Sequence, residues 1–363
     1  MATSAEYRLG EYAFARGWFA AAQSSEIGRA VFNVHYFGQD MVLYRGESGR
    51  VVMLDAYCPH MGTHFGSAPH SATTQSQGFL EGDNIRCPFH AWRFGPDGVC
   101  NHIPYSEGAI PRQARVKSWH VEERYGIVFC WHDPQGLEPD FGIADFPEWG
   151  SAGWVSWKGL EHVCDLKHPI EIFDNMSDVV HLDRLHGGHV TAYENEYDGH
   201  LMHQRQTGKI DEAAGQGPGQ GLYAATLTTL SGYVGPGVAF GHFLELNAKE
   251  IICVTPIDDG TCRLWQAVMM KIPAATTADN ATVVRQRLSD TMTNGLRRDG
   301  EIWANKKPAI NIMLMPGDGP FRQSRTWYSQ FYNPRAKAAA IVAQIAGKHS
   351  AKGMPAFALE VAG

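Results

Sequence analysis

The chain has 363 residues, 44% of them hydrophobic and 11% aromatic, enough to bury a large core and to form two domains. Its 31 Lys and Arg against 38 Asp and Glu leave a net charge of −7, which argues against nucleic acid as a partner. No basic stretch followed by an apolar run opens the chain, and no segment approaches the ~20 apolar residues of a membrane span, so the expected location is cytoplasmic.

After an N-terminal extension (1–16), short apolar runs alternate with Gly and Asp turns from 17 to 133, as expected of a small all-β domain. Ala30–Val34, Met41–Tyr44, Val51–Leu54 and Ile127–Trp131 are the clearest strands. Between them lie Cys58-Pro-His60 and, 26 residues further on, Cys87-Pro-Phe-His90. Two thiolates and two imidazoles in mixed pairs are the ligand arrangement of a Rieske [2Fe–2S] centre, where neutral ligands raise the potential of one iron. A structural zinc site could use the same four groups, but its usual spacing pairs Cys with Cys and His with His. Ala91 to Gly98 reads as a strand running into a Gly-Pro-Asp-Gly turn.

A Gly- and Pro-rich linker (134–153) precedes a second domain (154–363). In it, Glu171 to Gly188 mixes ligand-type side chains with apolar ones. Asn175, Asp178 and His181 follow at i, i+3 and i+6, the spacing of one helical face. His186 falls off that face, so the two histidines meet at one metal only if the helix ends between them; Gly187-Gly188 offers a stop. Two imidazoles and one carboxylate would form the facial triad of a non-haem Fe(II) oxygenase. Asp299, in a helix-like stretch ending before Pro308, is a candidate third ligand, with Asp290 and Glu301 as alternatives. On periodicity alone Asp299 reads as a solvated acid beside Arg297 and Arg298.

Strand-like runs at Gly221–Thr228 and Lys249–Thr255 alternate with helices, the pattern of an antiparallel sheet with helices packed on it. The fold class is therefore α+β. Gly215 to Gly221 reads as a flexible loop and Ala338–Ala346 as a helix. Cys100, Cys130, Cys164, Cys253 and Cys262 show no disulfide-framework spacing and are expected to be free thiols.

Together the motifs resemble the oxygenase component of a Rieske non-haem iron oxygenase, in the branch of 3-ketosteroid 9α-hydroxylase and cholesterol 7-desaturase. The likeness runs through Cys58–His64, Gly82–Trp92, Ile103–Ser106, Val116–Trp119, Val128–Asp133, Asp174–His186, Asp299-Gly-Glu-Ile-Trp303 and Trp327–Tyr332. It implies that Cys58, His60, Cys87 and His90 hold the cluster and that His181, His186 and Asp299 hold a mononuclear Fe(II). It also implies that Asp178 links the cluster of one subunit to the iron of its neighbour, and that Asn175 lies by the open face of the iron. A head-to-tail homotrimer is the implied assembly. No Gly-x-Gly-x-x-Gly follows a strand and opens a helix, so electrons from NAD(P)H are expected through a separate partner, a flavin or iron–sulfur reductase or a ferredoxin.

The implied reaction uses O2 to hydroxylate, desaturate or demethylate an apolar, steroid-like substrate. Alternatives are a smaller aromatic or alkaloid substrate, or an electron carrier without oxygen chemistry. Phe173, Val179, Phe240 and Phe243 would suit an apolar pocket, though each also suits ordinary core packing. Two departures from the branch stand out. The loop from Met61 to Arg86 is longer than expected and carries a polar insert, Ala68 to Gln77, read as a solvent-exposed excursion. It adds His64 and His70, but the paired spacing favours His60 and His90 as ligands. Asp198 to Phe243 has no clear counterpart.

Overall fold

Apolar residues recurring at every second position build the strands of the smaller unit. In the computed structural model, which describes residues 1–67, 79–210, 226–272, 276–355 and 357, β1 (Gly17–Gln23), β10 (Ile127–His132) and β9 (Val121–Arg124) form one sheet. A second joins β2 (Phe32–Tyr36), β3 (Gln39–Arg45) and β4 (Val51–Asp55). The third is built from β5 (Leu80–Glu81), β6 (Asn84–Arg86), β7 (Arg93–Phe94) and β8 (Cys100–His102). Val42, Tyr44, Leu54, Phe65, Ile85 and Phe94 are buried in one apolar cluster that also encloses Cys58 and Cys87. The Gly-Pro-Asp-Gly turn closes as expected, Gly98 donating to the carbonyl of Gly95 at 2.9 Å.

Phe19–His132 forms this unit, and Met1–Trp18 joins Asp133–Gly363 in the other. Residues 1–16 are thus tied down: the Tyr7 hydroxyl donates to Glu171, and the backbone N–H of Ser4 donates to Asp259 at 2.7 Å. Residues 134–153 are not a free tether either, since Phe141, Ile143, Ala144 and Phe146 are buried. The insert around His70 and the Gly215–Gly221 loop lie outside the described residues.

The larger unit is built on a nine-stranded sheet with antiparallel pairings throughout. Its strands are β11 (Trp154–Val155), β12 (Glu161–Leu166), β13 (Gly188–Asp198), β14 (Leu201–Ile210), β15 (Thr226–Val234), β16 (Val238–Phe243), β17 (Ala248–Pro256), β18 (Cys262–Lys271) and β19 (Gly347–His349). The order is β11-β18-β17-β16-β15-β14-β13-β19, with β12 also on β18. The helices are α1 (Pro169–Phe173), α2 (Val179–His186), α3 (Ala278–Asn305), α4 (Phe321–Ser329) and α5 (Arg335–Ala343).

Strand alternation gives the sheet two faces. Val254 and Leu264 on one face pack with Ile172 of α1 and Trp303 of α3. Ala248, Val268 and Met270 of the same face pack with Leu288 of α3. On the opposite face Leu201, His203, Leu230, Phe240 and His242 line a separate cavity of about 350 Å³. Phe240 therefore does not share a face with the helices. Phe173 is completely buried against Trp327 and Tyr328, and Val179 packs with Tyr193, so both are core residues. Among the described residues no helix is long and apolar enough to cross a membrane, and every described cysteine is a free thiol.

Candidate metal centres

Each cysteine of the first cluster closes its own tight loop. Gly62 donates to the carbonyl of Cys58 at 2.9 Å with φ +72°, and Ala91 donates to that of Cys87 at 3.1 Å with φ +60°. These loops bring the pairs together: Cys58 and Cys87 are buried and hydrogen-bonded to each other, and the His60 and His90 rings lie 4.7 Å apart. Trp92 stacks on His60 at 4.5 Å and 7°. The shared hydrogen bond pushes the Cys58 thiol up and draws the Cys87 thiol below its ordinary value. His90 Nδ1 is enclosed without a partner among the described residues. Two enclosed sulfurs beside an orphaned imidazole nitrogen fit a metal cluster, which would remove the cost of that unpaired atom. His64 is occupied elsewhere, its Nδ1 accepting from Gly66 at 3.0 Å and its ring against Tyr57.

The second cluster is set by a broken helix. Instead of one helix from Asp174 to His186, α1 passes through a 3-10 turn (Asp174–Met176), and Asp178 becomes the N-cap of α2. Asn175, Asp178 and His181 therefore do not share one helical face. They reach the same hollow by this turn, together with Asp299, in a cavity of about 210 Å³. The cap explains the break, because a carboxylate accepting the His181 backbone N–H at 3.2 Å favours a helix start at that point. Both histidines lie inside α2, which stops after His186 at Gly187, φ +68°.

The triad then closes from α3. Asp299 Oδ1 lies 3.1 Å from His186 Nε2 and 3.8 Å from His181 Nε2, and one donor from each residue falls within 4.8 Å of the others. Asp299 is 6% exposed, so the sheltered reading wins over the solvated one. Asp290 and Glu301 are exposed. A buried carboxylate facing two imidazole nitrogens fits a divalent metal. His181 donates its Nδ1–H to the carbonyl of Asp178, leaving Nε2 free to ligate. Burial disfavours the charged imidazole, yet the hydrogen bond and charge of Asp178 and the charge of Asp299 hold the His181 pKa above its ordinary value. Burial likewise works against an ionised Asp178, but its bond to His181 draws the carboxyl down.

Residues far away in sequence anchor this segment. The carbonyl of Met176 accepts from Tyr193 Oη at 2.5 Å, Asn195 Nδ2 at 2.9 Å and Gln204 Nε2 at 2.5 Å. Asp174 is buried against Arg325, at 2.9 and 2.5 Å. No local spacing announces these contacts; they need the sheet register.

Residues 130–332 match the family described as the 3-ketosteroid 9α-hydroxylase C-terminal domain, and residues 17–120 match the Rieske [2Fe–2S] domain. The chain belongs to the 3-ketosteroid 9α-hydroxylase family of Rieske oxygenases. It is 33% identical to a probable 3-ketosteroid-9-alpha-monooxygenase oxygenase component of Rhodococcus rhodochrous, over 88% of this chain and 80% of that protein. A Mycolicibacterium smegmatis 3-ketosteroid-9-alpha-monooxygenase oxygenase component is 32% identical over 88% and 82%. Cholesterol 7-desaturase of Xenopus laevis is 29% identical over 88% and 72%. Dicamba monooxygenase with a bound dichlorosalicylic acid has the same fold, with a TM-score of 0.68, 16% identity and coverage of 89% and 98%. This Rieske oxygenase is thus an oxidoreductase whose smaller unit carries a Rieske [2Fe–2S] domain.

Proposed function

We propose that this Rieske oxygenase inserts oxygen from O2 into an apolar, steroid-like substrate in the cytoplasm, as a homotrimer fed by a flavin or iron–sulfur reductase. The observation that carries the reading is the His181–His186–Asp299 cluster, closed by a buried carboxylate, in a chain so similar to ketosteroid monooxygenases along most of its length. Cys58, His60, Cys87 and His90 would hold the electron-accepting cluster, and His181, His186 and Asp299 the iron. When bound, the iron supplies a site where O2 and the substrate C–H bond meet and electrons are delivered.

This chain's own residues do the positioning. Asp178 fixes the His181 ring through its backbone carbonyl while its carboxylate stays partly open to solvent, free to meet the cluster-side imidazole of a neighbouring subunit. Asn175 lines the same hollow and would hold a polar ligand beside the metal. Exposed Phe89 beside His90, and exposed Ile302 at the hollow of Asp178, are apolar surfaces suited to subunit contact. In a ring, one contact of this head-to-tail kind repeats until it closes.

Anaerobically purified protein should contain iron in excess of acid-labile sulfide, and a ketosteroid should stimulate oxygen uptake with reductase present. Iron equal to sulfide after Fe(II) addition would leave an electron carrier. Uptake stimulated by small aromatic compounds, and not by steroids, would overturn the substrate class.

A further inference from the structure

A polar row crosses the helix-covered face of the sheet, where apolar residues would be expected. Direct cross-strand pairs run from Asn195 to Gln204, Ser231, Gly241 and Glu250. At one end the row grips the iron-bearing segment, through the bonds of Asn195 and Gln204 to the Met176 carbonyl. Ser231 donates to Gln204 Oε1 at 3.3 Å, so the near half of the row is satisfied internally. At the far end stands a carboxyl on β17, a strand with neighbours on both sides.

Glu250 is unlike the other acids of this face. Gln266 Nε2 donates to its Oε2 at 2.7 Å, and among the described residues it has no other hydrogen-bond partner and no cation beside it. By contrast Glu161, beside Gln266 on the next strand, accepts from Ser289, Thr293 and Gln286 of α3. The Gln266 carbonyl oxygen is buried without a partner. Position 241 is glycine, and a Cβ there would lie 2.8 Å from Glu250 Oε1, so the carboxyl lies across that glycine.

Glu250 also keeps some accessible surface. On the covered face of a central strand it is only half-buried, as are Ser231, Phe243 and Ile252 on the same face and Met292 and Leu296 of α3. Met292 packs against the cluster that holds Val268, the direct cross-strand partner of Glu250. Leu296 and Ile252 (two residues along the strand from Glu250) both pack against the Val254–Leu264–Trp303 cluster. Met292 and Leu296 precede Asp299 by two turns and one turn, roughly 10 and 5 Å along the helix axis. The helix that covers this part of the sheet with apolar side chains therefore also carries Asp299.

We propose that Glu250, held by Gln266 and given room by Gly241, is a specificity-determining residue that hydrogen-bonds an oxygen substituent, a carbonyl or hydroxyl, on the otherwise apolar substrate. An isolated carboxyl–amide pair in an apolar lining costs stability unless a ligand completes its hydrogen bonds. Enclosure pushes the Glu250 carboxyl up to about 7, so the neutral acid can donate to a ligand oxygen near neutral pH. A site built this way discriminates strongly against an analogue that lacks the oxygen. The proposal deepens the apolar-substrate reading and rests on it.

The test is calorimetric binding to the intact, metal-loaded oxygenase of matched pairs, each an oxygenated compound and its deoxy analogue. One pair is a ketosteroid and the other a small aromatic ketone. The wild type should prefer the oxygenated member by about tenfold or more. Glu250→Leu should shrink that preference to near unity, Glu250→Gln should restore most of it, and Gly241→Ala should behave like Glu250→Leu by displacing the carboxyl. Iron and sulfide contents and melting temperature identify any variant that fails to fold. A preference unchanged in a folded Glu250→Leu, or absent from the wild type, overturns the proposal. Preference seen only in the aromatic pair would support Glu250 while removing the steroid reading.

Discussion

His181 donates its ring Nδ1–H to the backbone carbonyl of Asp178, while the Asp178 carboxylate accepts the His181 backbone N–H at 3.2 Å. One residue therefore fixes both where α2 starts and which nitrogen of His181 is left to face Asp299. These two tasks fall on different atoms of Asp178, so they can be separated by substitution.

Asp178→Asn keeps a capping side chain and the backbone carbonyl. Iron and sulfide contents and melting temperature should match the wild type, while substrate-dependent oxygen uptake falls by 10-fold or more, within the ~10–100-fold range for such outer partners. Asp178→Ala should add a loss of about 1 kcal/mol from the missing cap. Full oxygen uptake by Asp178→Asn would take the carboxylate out of the proposed electron route.

Asp299→Ala removes the one carboxylate of the triad and leaves two imidazoles, too few for tight Fe(II) binding. Metal analysis should find iron lowered to the amount matching sulfide, with the visible spectrum of the cluster unchanged. Cys87→Ala should do the reverse, abolishing sulfide and the visible bands. Iron in excess of sulfide that survives in Asp299→Ala would point to another ligand, which Asp290 and Glu301 are too exposed to be.

The two clusters were legible in the sequence because close spacing carries them. Cys58, His60, Cys87 and His90 sit in two tight loops, and His181 and His186 share one short helix ended by Gly187. Asp299 was not legible from periodicity, since the α3 face it occupies becomes buried only when α2 packs nearby; the family likeness was needed. The helix break at Asp178 was missed because its apolar neighbours fit one continuous helix, and capping decided otherwise. That Phe240 faces away from the helices follows from a face assignment that only the strand register supplies. The Asn195–Glu250 row is likewise a property of pairing between distant strands, with no local signature.

Arg325→Met should be strongly destabilising. Burial raises the Asp174 carboxyl while Arg325 opposes that rise, so removing the guanidinium leaves an uncompensated acid in the turn that leads into α2. Breaking a buried pair costs about 3–5 kcal/mol, whereas removing both charges costs much less. Thermal unfolding should place Arg325→Met well below the wild type, with Asp174→Asn/Arg325→Met recovering much of the difference. Equal melting temperatures for the single and double variants would mean that Asp174 is not enclosed.

Glu250 gives a pH-dependent signature that needs no substrate. Its folded pKa is raised from 4.5 to about 7, burial being the main cause and the Gln266 bond opposing it. A raised carboxyl binds its proton more tightly in the folded state, so its stabilising contribution is present below pH 4.5 and is lost as pH rises through 7. Glu250→Gln does not titrate and should escape that loss, which at about 1.4 kcal/mol per pH unit amounts to at most about 3–4 kcal/mol. Tyr233 feels the Glu250 charge, but its own pKa is driven far above neutrality by burial first, so Tyr233 stays neutral across this range. Calorimetry at several pH values should find Glu250→Gln melting above the wild type at pH 8, with the gap narrowing steadily toward pH 5. A gap that stays constant with pH would mean that the carboxyl is ionised in both states, and so freely hydrated rather than enclosed beside Gly241.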